Sequence, residues 1–552
     1  MGLIGMFKFL FSILLFTAES WAQSGCTSTS AWTICDLTFD VAQAESSSEL
    51  RAEFRSPRYK TVLIRAFRDG AKMILRFNPT GAGVWTYKLS STLKKWDGMM
   101  GEVQATESAA LGFVRATNTH HFATTLGGTD DRKPHLWMSA PVADFLTLPG
   151  NQLGPMLDAR VNEKFTHIRF GIDAKTDLNE VAERMRIANA KGLVVDLVLA
   201  AIPGNDRDRE SYVAEMVSRF AAFNMTWVLG PAFENVPQGR TLMKDAGNLL
   251  AKLDPYAHPR SALAQVSSGA FVGDGWMNVR SYGTVDANVG VVEHQFYQSP
   301  ALNTGIASSK DLWNATMNGQ YPAAGSGPHM KAWAEFMAQS RFWELEPYFD
   351  VDGGRALGLE DVEYLVYVEK PALVELTVEK HTYDVVWMNP ATGEVFKQKE
   401  YNGEHFTGEP PNRTHDWVLR LSREGRKEGM LKSYKFDSRT DPVVQEIEQN
   451  PARVPFEIAA PAGEELSLSK PVPFTLKTKR ETRATRSLLV NWTAEVVLDG
   501  AGYRIVGKGK EGTLTLPRDI ALKYPAVMSL RAMVLNANGK AYMLDKVYRL
   551  VQ

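Results

Sequence analysis

The segment Phe165–Val236 constrains the fold of this chain more than any other, because strand and helix patterns alternate along it without a break. Phe165-Thr-His-Ile-Arg-Phe170 is short and rich in β-formers. Asp177–Lys191 carries Leu178, Val181, Met185 and Ala188 at helical spacing, with charges on the opposite face. Asp177 is placed to cap that helix, Glu180 to close a capping box, and Gly192 to take the left-handed turn past its end. Leu193–Ala201 is almost wholly apolar, as a strand covered on both faces must be. Ser211–Phe223 predicts a second helix, and Thr226-Trp-Val-Leu-Gly230 a third strand that runs into Pro231-Ala-Phe-Glu-Asn235. Successive strand–helix–strand units predict a parallel sheet with right-handed crossovers. Glu234, just past such a strand, stands where a (β/α)8 barrel keeps its chemistry.

At 552 residues the chain exceeds one hydrophobic core, and about two to four domains are expected. A formal net charge of −1 provides no global field for nucleic acid or an anionic membrane. Residues 1–22 read as a signal peptide: Lys8 precedes the apolar run Phe9–Ala18, and Ser20-Trp-Ala22 offers small residues for cleavage. That run is too short to span a bilayer, and Gln23-Ser-Gly25 before Cys26 is no lipoprotein box. An exported protein, periplasmic or secreted, is expected. Cys26 and Cys35 are the only cysteines. In an oxidising compartment they predict a short-loop disulfide, two free thiols being the alternative. Without neighbouring histidines they do not furnish four metal ligands, so neither a metal nor a cofactor is expected.

Residues 27–108 read as a β-sandwich, with strands at Thr61–Phe67 and Lys72–Phe77 around the turn Asp69-Gly70, and a further strand from Val84 to Lys88. Residues 109–350 carry the barrel. His135–Met138, Ser261–Gln265, Gly290–Tyr297 and Ala301–Thr304 read as strands, and Leu153–Lys164, Arg240–Leu253 and roughly Met330–Phe342 as helices. Residues 351–422 return to a β-sandwich, residues 423–450 are a charged linker, and residues 451–552 an immunoglobulin-like β domain with a hairpin at Asn538-Gly539.

The pattern Phe67…Asp69-Gly70…Arg76-Phe77…Pro79…Gly81…Gly83-Val-Trp85-Thr-Tyr87 resembles the N-terminal sandwich of a group of bacterial glycoside hydrolases, the domain of unknown function numbered 5060. Gly112-Phe-Val-Arg115 with His121-Phe122, and Lys252-Leu-Asp-Pro-Tyr-Ala-His-Pro-Arg-Ser261, are similar to segments of the apiosidase-like barrel of that group, numbered 4038. Residues 351–422 resemble its small C-terminal sandwich, whose label of collagen binding is no evidence of collagen binding here. The resemblance covers roughly residues 35–422. It implies hydrolysis of a plant, algal or microbial polysaccharide.

Such hydrolysis usually needs two carboxyl groups flanking the scissile bond. Glu234 is the candidate acid/base, with aromatic and apolar neighbours that raise a carboxyl pKa. In related barrels the acid falls five positions after the tryptophan; counted from Trp227 this is Ala232, two before Glu234. The place of the second carboxylate in relatives is taken here by Gly305, with Glu293 and Asp311 as substitutes. Alternation along Val291–Phe296 puts Glu293 and His294 on opposite faces of a strand. His294 resembles the family's sugar-contacting histidine, which would turn Glu293 outward into an ion pair. Arg169 suits a carboxylate or sulfate on an acidic sugar, or else a salt bridge inside the barrel. Among the 13 tryptophans, Trp227 and Trp313, with Tyr321, are candidate stacking platforms for sugar rings, and Asn303 and Asn314 candidate partners for hydroxyls. His120-His121 read as surface or core imidazoles, and Glu344, Glu346, Asp350 and Asp352 as an acidic cluster without calcium-loop spacing. The sequence has neither a Gly-x-Ser-x-Gly elbow nor a His-Glu-x-x-His zinc pair. Two functions stay open: a polysaccharide hydrolase, or a non-catalytic carbohydrate-binding or surface protein on a degenerate barrel, as Ala232 and Gly305 predict.

Overall fold

The alternation seen between residues 165 and 236 runs on through residues 139–337. In the computed structural model, which describes residues 23–45, 47–117, 119–125, 132–423, 446–459, 463–497, 504–515 and 524–552, this region holds eight parallel strands interleaved with helices. They are β1 (Ser139–Pro141), α1 (Gly150–Asn162), β2 (His167–Ile172), α2 (Leu178–Ala190), β3 (Val194–Leu199), α3 (Asp206–Phe220), β4 (Met225–Leu229) and α4 (Gly239–Leu253). There follow β5 (Arg260–Ala262), β6 (Arg280–Tyr282), α5 (Ala287–Phe296), β7 (Ala301–Asn303), α6 (Ser309–Met317), β8 (Tyr321–Pro322) and α7 (Pro328–Met337). β1–β5 pair in chain order in one parallel sheet and β6–β8 in a second. Between them the ladder breaks, and Asn278 and Val279 both donate their amides to Arg260 O, at 3.2 and 3.1 Å. The expected signal peptide and residues 424–445 of the expected linker lie outside the described residues, and Ile447–Glu448 of that linker form a short strand.

Local chemistry sets several of these boundaries. The Asp177 carboxylate accepts the amides of Asn179 and Glu180, capping α2, and Gly192 lies at φ +80° past its end. Glu180 turns to Arg184 at 2.5 Å instead of closing a capping box. α3 begins at Asp206, five residues earlier than expected, because Asn205 caps it and its acidic first turn suits the positive end of the helix dipole. The first strand is Ser139–Pro141, just beyond the expected His135–Met138, and the short strand Arg280–Tyr282 was not anticipated. The largest departure is Gly290–Tyr297, expected as a strand and folded as α5. Asp286 caps it through the amide of Val289. Val289 packs with Tyr282 and Ala301 on one side, while Val291 and Val292 pack with Met533, Leu535 and Ala541 on another. Burial on two sides at helical spacing overrides the β-propensity of the valines.

Side-chain alternation divides the strands. Ile168, Phe170, Ile172, Val195, Leu197, Leu199, Met225, Trp227 and Leu229 join one apolar cluster with Val181, Met185, Val213 and Met216 of the helices. His167, Arg169, Asp196 and Thr226 lie on the opposite face.

Ahead of this region, a four-stranded and a five-stranded sheet share a core in which Phe54 stacks on Phe77 at 3.9 Å. Gly70 makes the predicted turn at φ +56°, and Cys26 and Cys35 form a disulfide with Cα atoms 5.3 Å apart. Residues 346–423 form one antiparallel sheet of seven strands rather than two separate sheets; its longest strand, Val374–Met388, carries two register shifts. A six-stranded and a three-stranded sheet close the chain around Phe456, Phe474 and Trp492, with Gly539 at φ +73° in the expected hairpin.

Candidate active site

Glu234 lies five residues past the end of β4, in the short 3-10 turn Phe233–Asn235, and is half-buried. Its Oε2 accepts the amide of Gln265, beyond β5, at 3.0 Å. Glu293 sits on α5 and is 1% exposed. It accepts the hydroxyls of Ser267 (2.6 Å) and Tyr282 (2.8 Å) and the amide nitrogen of Asn491 (3.3 Å), the last from the terminal β region. Ser267 is held for this by capping the turn Ser268–Asp274, where its oxygen accepts the amide of Gly269. A Cβ at Gly269 would stand 2.9 Å from both Glu293 oxygens, so the backbone passes as close to the carboxyl as a glycine permits. Both glutamates line one cavity of about 200 Å³, walled also by Phe233, Gln265, Tyr297 and Thr493. Burial pushes the Glu293 carboxyl above the usual carboxylate range, against the donors around it and the charge of Arg280. Arg280 is itself spent on the Tyr282 hydroxyl and on Ser299.

The other face of β1–β4 holds a second polar cluster. Asp196, fully buried, accepts from Ser139 Oγ (2.6 Å), His167 Nδ1 (2.8 Å) and Thr226 Oγ1 (2.9 Å), with Arg169 Nη2 at 3.5 Å. Burial would raise the Asp196 carboxyl, but His167 and Arg169 hold it low. His135 meets His167 at 2.8 Å, and burial together with that neighbour keeps His135 well below the usual histidine range. Arg169 also donates to Ala323 O at 3.2 Å, just past β8, which ties the first sheet to the second.

The remaining candidate residues are placed away from the cavity. Arg169 takes the salt-bridge alternative. Trp227 is fully buried on the helix-facing side and donates to Asp254 at 3.0 Å, and Trp313 is fully buried between Phe336 and Tyr367, so neither offers a ring face to a sugar. Asn303 is spent on Thr284 O, Gln320 and the amide of Gly305. Asn314 is spent on Lys310 O, Glu369 and Arg355. Tyr321 is buried, its hydroxyl 2.7 Å from His121. His294, on a helix instead of a strand, meets Glu346 at 2.5 Å, so alternation does not separate it from Glu293. At Gly305 a Cβ would come within 2.5 Å of Gly283 O, leaving no room for a carboxylate there. Asp311 caps the start of α6 with Ser308.

Ser267, Tyr282 and Asn491 were missed from sequence, since nothing local marks a serine, a tyrosine or an asparagine as a carboxyl's partner. Asp196 did leave a signal, as the lone charge in the apolar run Leu193–Ala201.

No family model matches this sequence, and no curated protein matches it. Among solved structures the chain is similar to one titled a "putative glycoside hydrolase" from Bacteroides vulgatus, with a TM-score of 0.59 and 15% identity over 72% of this chain and 99% of that one. A glycoside hydrolase family 5 structure from Bacteroides vulgatus superposes with a TM-score of 0.48 and 12% identity over 57% of this chain and 93% of that one. The first likeness establishes a shared fold, and a fold does not by itself assign chemistry.

Proposed function

We propose that the two parallel sheets are arcs of one (β/α)8 barrel and that this chain is an exported glycoside hydrolase-like protein acting on an oligo- or polysaccharide. The observation that carries the reading is the pair Glu234 and Glu293 on one cavity in unlike surroundings. Glu293, buried and shifted upward, holds its proton to higher pH than an ordinary carboxyl and suits the general acid that protonates the departing sugar oxygen. Glu234, half-exposed, suits the carboxylate that activates water or attacks the anomeric carbon. The sequence-based role of acid thus passes from Glu234 to Glu293. Export is supported by the Cys26–Cys35 disulfide, which an oxidising compartment preserves.

The test is turnover on a panel of polysaccharides by purified protein and by Glu293→Gln and Glu234→Gln variants. Each variant is expected to lose kcat by about 100-fold or more while retaining sugar binding. A second reading, a carbohydrate-binding protein without turnover, is favoured by Gly305, whose surroundings exclude the carboxylate that relatives place there. Sugar binding with no turnover by the unmodified protein selects it.

A further inference from the structure

Away from the cavity, three imidazoles converge on one carboxylate. His120 and His121 open the strand His121–Thr125, His294 lies in the last turn of α5, and Glu346 begins the first strand of the seven-stranded sheet. His120 Nδ1 is 3.1 and 3.2 Å from the two Glu346 oxygens, His294 Nε2 is 2.5 Å from Oε2, and His121 Nε2 is 3.4 Å from Oε1. One ligand atom each from His120, His294 and Glu346 lies within 4.8 Å of the others. The histidines are 7%, 4% and 2% exposed, while the Glu346 side chain keeps 26% of its surface, which leaves an entry path.

We propose that His120, His121, His294 and Glu346 form a structural site for a zinc-type divalent cation. Four observations point there. First, His120 Nε2 lies 3.0 Å from the carbonyl of Tyr297, so that nitrogen carries the proton and donates. The Nδ1 of His120 then faces two carboxylate oxygens, so a cation held between them meets a nitrogen and an oxygen donor. A ligand histidine whose other nitrogen donates to a backbone carbonyl is the usual outer-shell pattern of metal sites. Second, His121 Nε2, on a nearly buried ring, points at Glu346 without a good hydrogen bond, while its Nδ1 rests on the Tyr321 hydroxyl. Third, ligand atoms around tetrahedral zinc stand about 3.3 Å apart, close to the His120 and His121 separations; the shorter His294 contact would open on binding. Fourth, Gly319 makes room for the His294 ring, since a Cβ there would lie 2.4 Å from its Nδ1 and Cε1.

The ion would pin the hairpin at His121, α5 and the seven-stranded sheet to one another.

The experiment is metal analysis and thermal unfolding of the intact, chelator-treated chain, titrated with Zn²⁺ alone. One equivalent taken up per chain, with a Tm raised by several degrees, is expected. Co²⁺ in its place is expected to give the visible absorption of a four-coordinate site. His294→Ala and Glu346→Gln are expected to weaken Zn²⁺ binding by about 10-fold or more without loss of far-ultraviolet circular dichroism. If the unmodified chain takes up no stoichiometric Zn²⁺, the cluster is a hydrogen-bonded imidazole–carboxylate pair and the proposal falls. Uptake unchanged in folded variants places the ion elsewhere and likewise overturns it.

Discussion

Two buried carboxyls end on opposite sides of the ordinary range, because the donors outweigh burial at one and not at the other. Asp254 accepts the amides of Tyr256 (3.0 Å) and His258 (2.8 Å), the indole of Trp227 (3.0 Å) and the ring of His258 (3.0 Å). These donors outweigh burial and bring it from 3.8 to about 2. Glu293 accepts two hydroxyls and one side-chain amide, and burial wins. The signs of their linkage differ accordingly. Asp254 contributes stability that is complete above its unfolded pKa and is lost as pH falls through its folded value, a difference of about 2 kcal/mol. Asp254→Asn is expected to lower Tm at neutral pH and to flatten its dependence between about pH 4 and pH 2, read by thermal scans across that range. Glu293 contributes stability present below its unfolded pKa and lost as pH rises through its folded one; Glu293→Gln removes that slope. In turnover, the proposed acid role predicts a rate that falls as pH rises past the raised Glu293 value, with kcat/KM against pH as the measurement.

α5 shows how an element is decided by what it touches. Its N-cap, Asp286, is also ion-paired to Lys508 at 2.5 Å, and the Val490 amide donates to Asn288 at 3.2 Å. Asp286→Ala is expected to cost about 1 kcal/mol in urea unfolding, the loss of a capping side chain. Lys508→Ala, removing a side chain 60% exposed, should cost no more than about 0.5 kcal/mol. By contrast α2 and β3 were legible from sequence, since their signals are local: Asp177 before an amphipathic run, Gly192 after it, then an apolar strand. The run Val289–Phe296 offers three valines and an apparent alternation, and the groups that bury Val291 and Val292 lie more than two hundred residues further on.

At the scale of the whole chain, the short loop closed by Cys26 and Cys35 restrains the first strand beside the sheet that carries Cys35. A loop of this length is worth about 2–3 kcal/mol in the chain-entropy account. Reduction, or Cys26→Ser with Cys35→Ser, is expected to lower the calorimetric unfolding temperature of the N-terminal sheets. Further along, the terminal β region takes part in the candidate site through Asn491 and Thr493, so the cavity belongs to the assembled molecule rather than to the α/β region alone.

Taken by itself, the amino-acid sequence determined the order of sheet types, the strand–helix alternation, and the turns at Gly70 and Gly539. These are read from periodicity and from hydrogen bonds closed within a few residues. Only the tertiary structure decided which polar groups meet: Glu293 with Asn491 across 198 positions, and His120 with Glu346 across 226. Such meetings depend on how separately folded sheets and helices pack, and no local pattern along the chain records that.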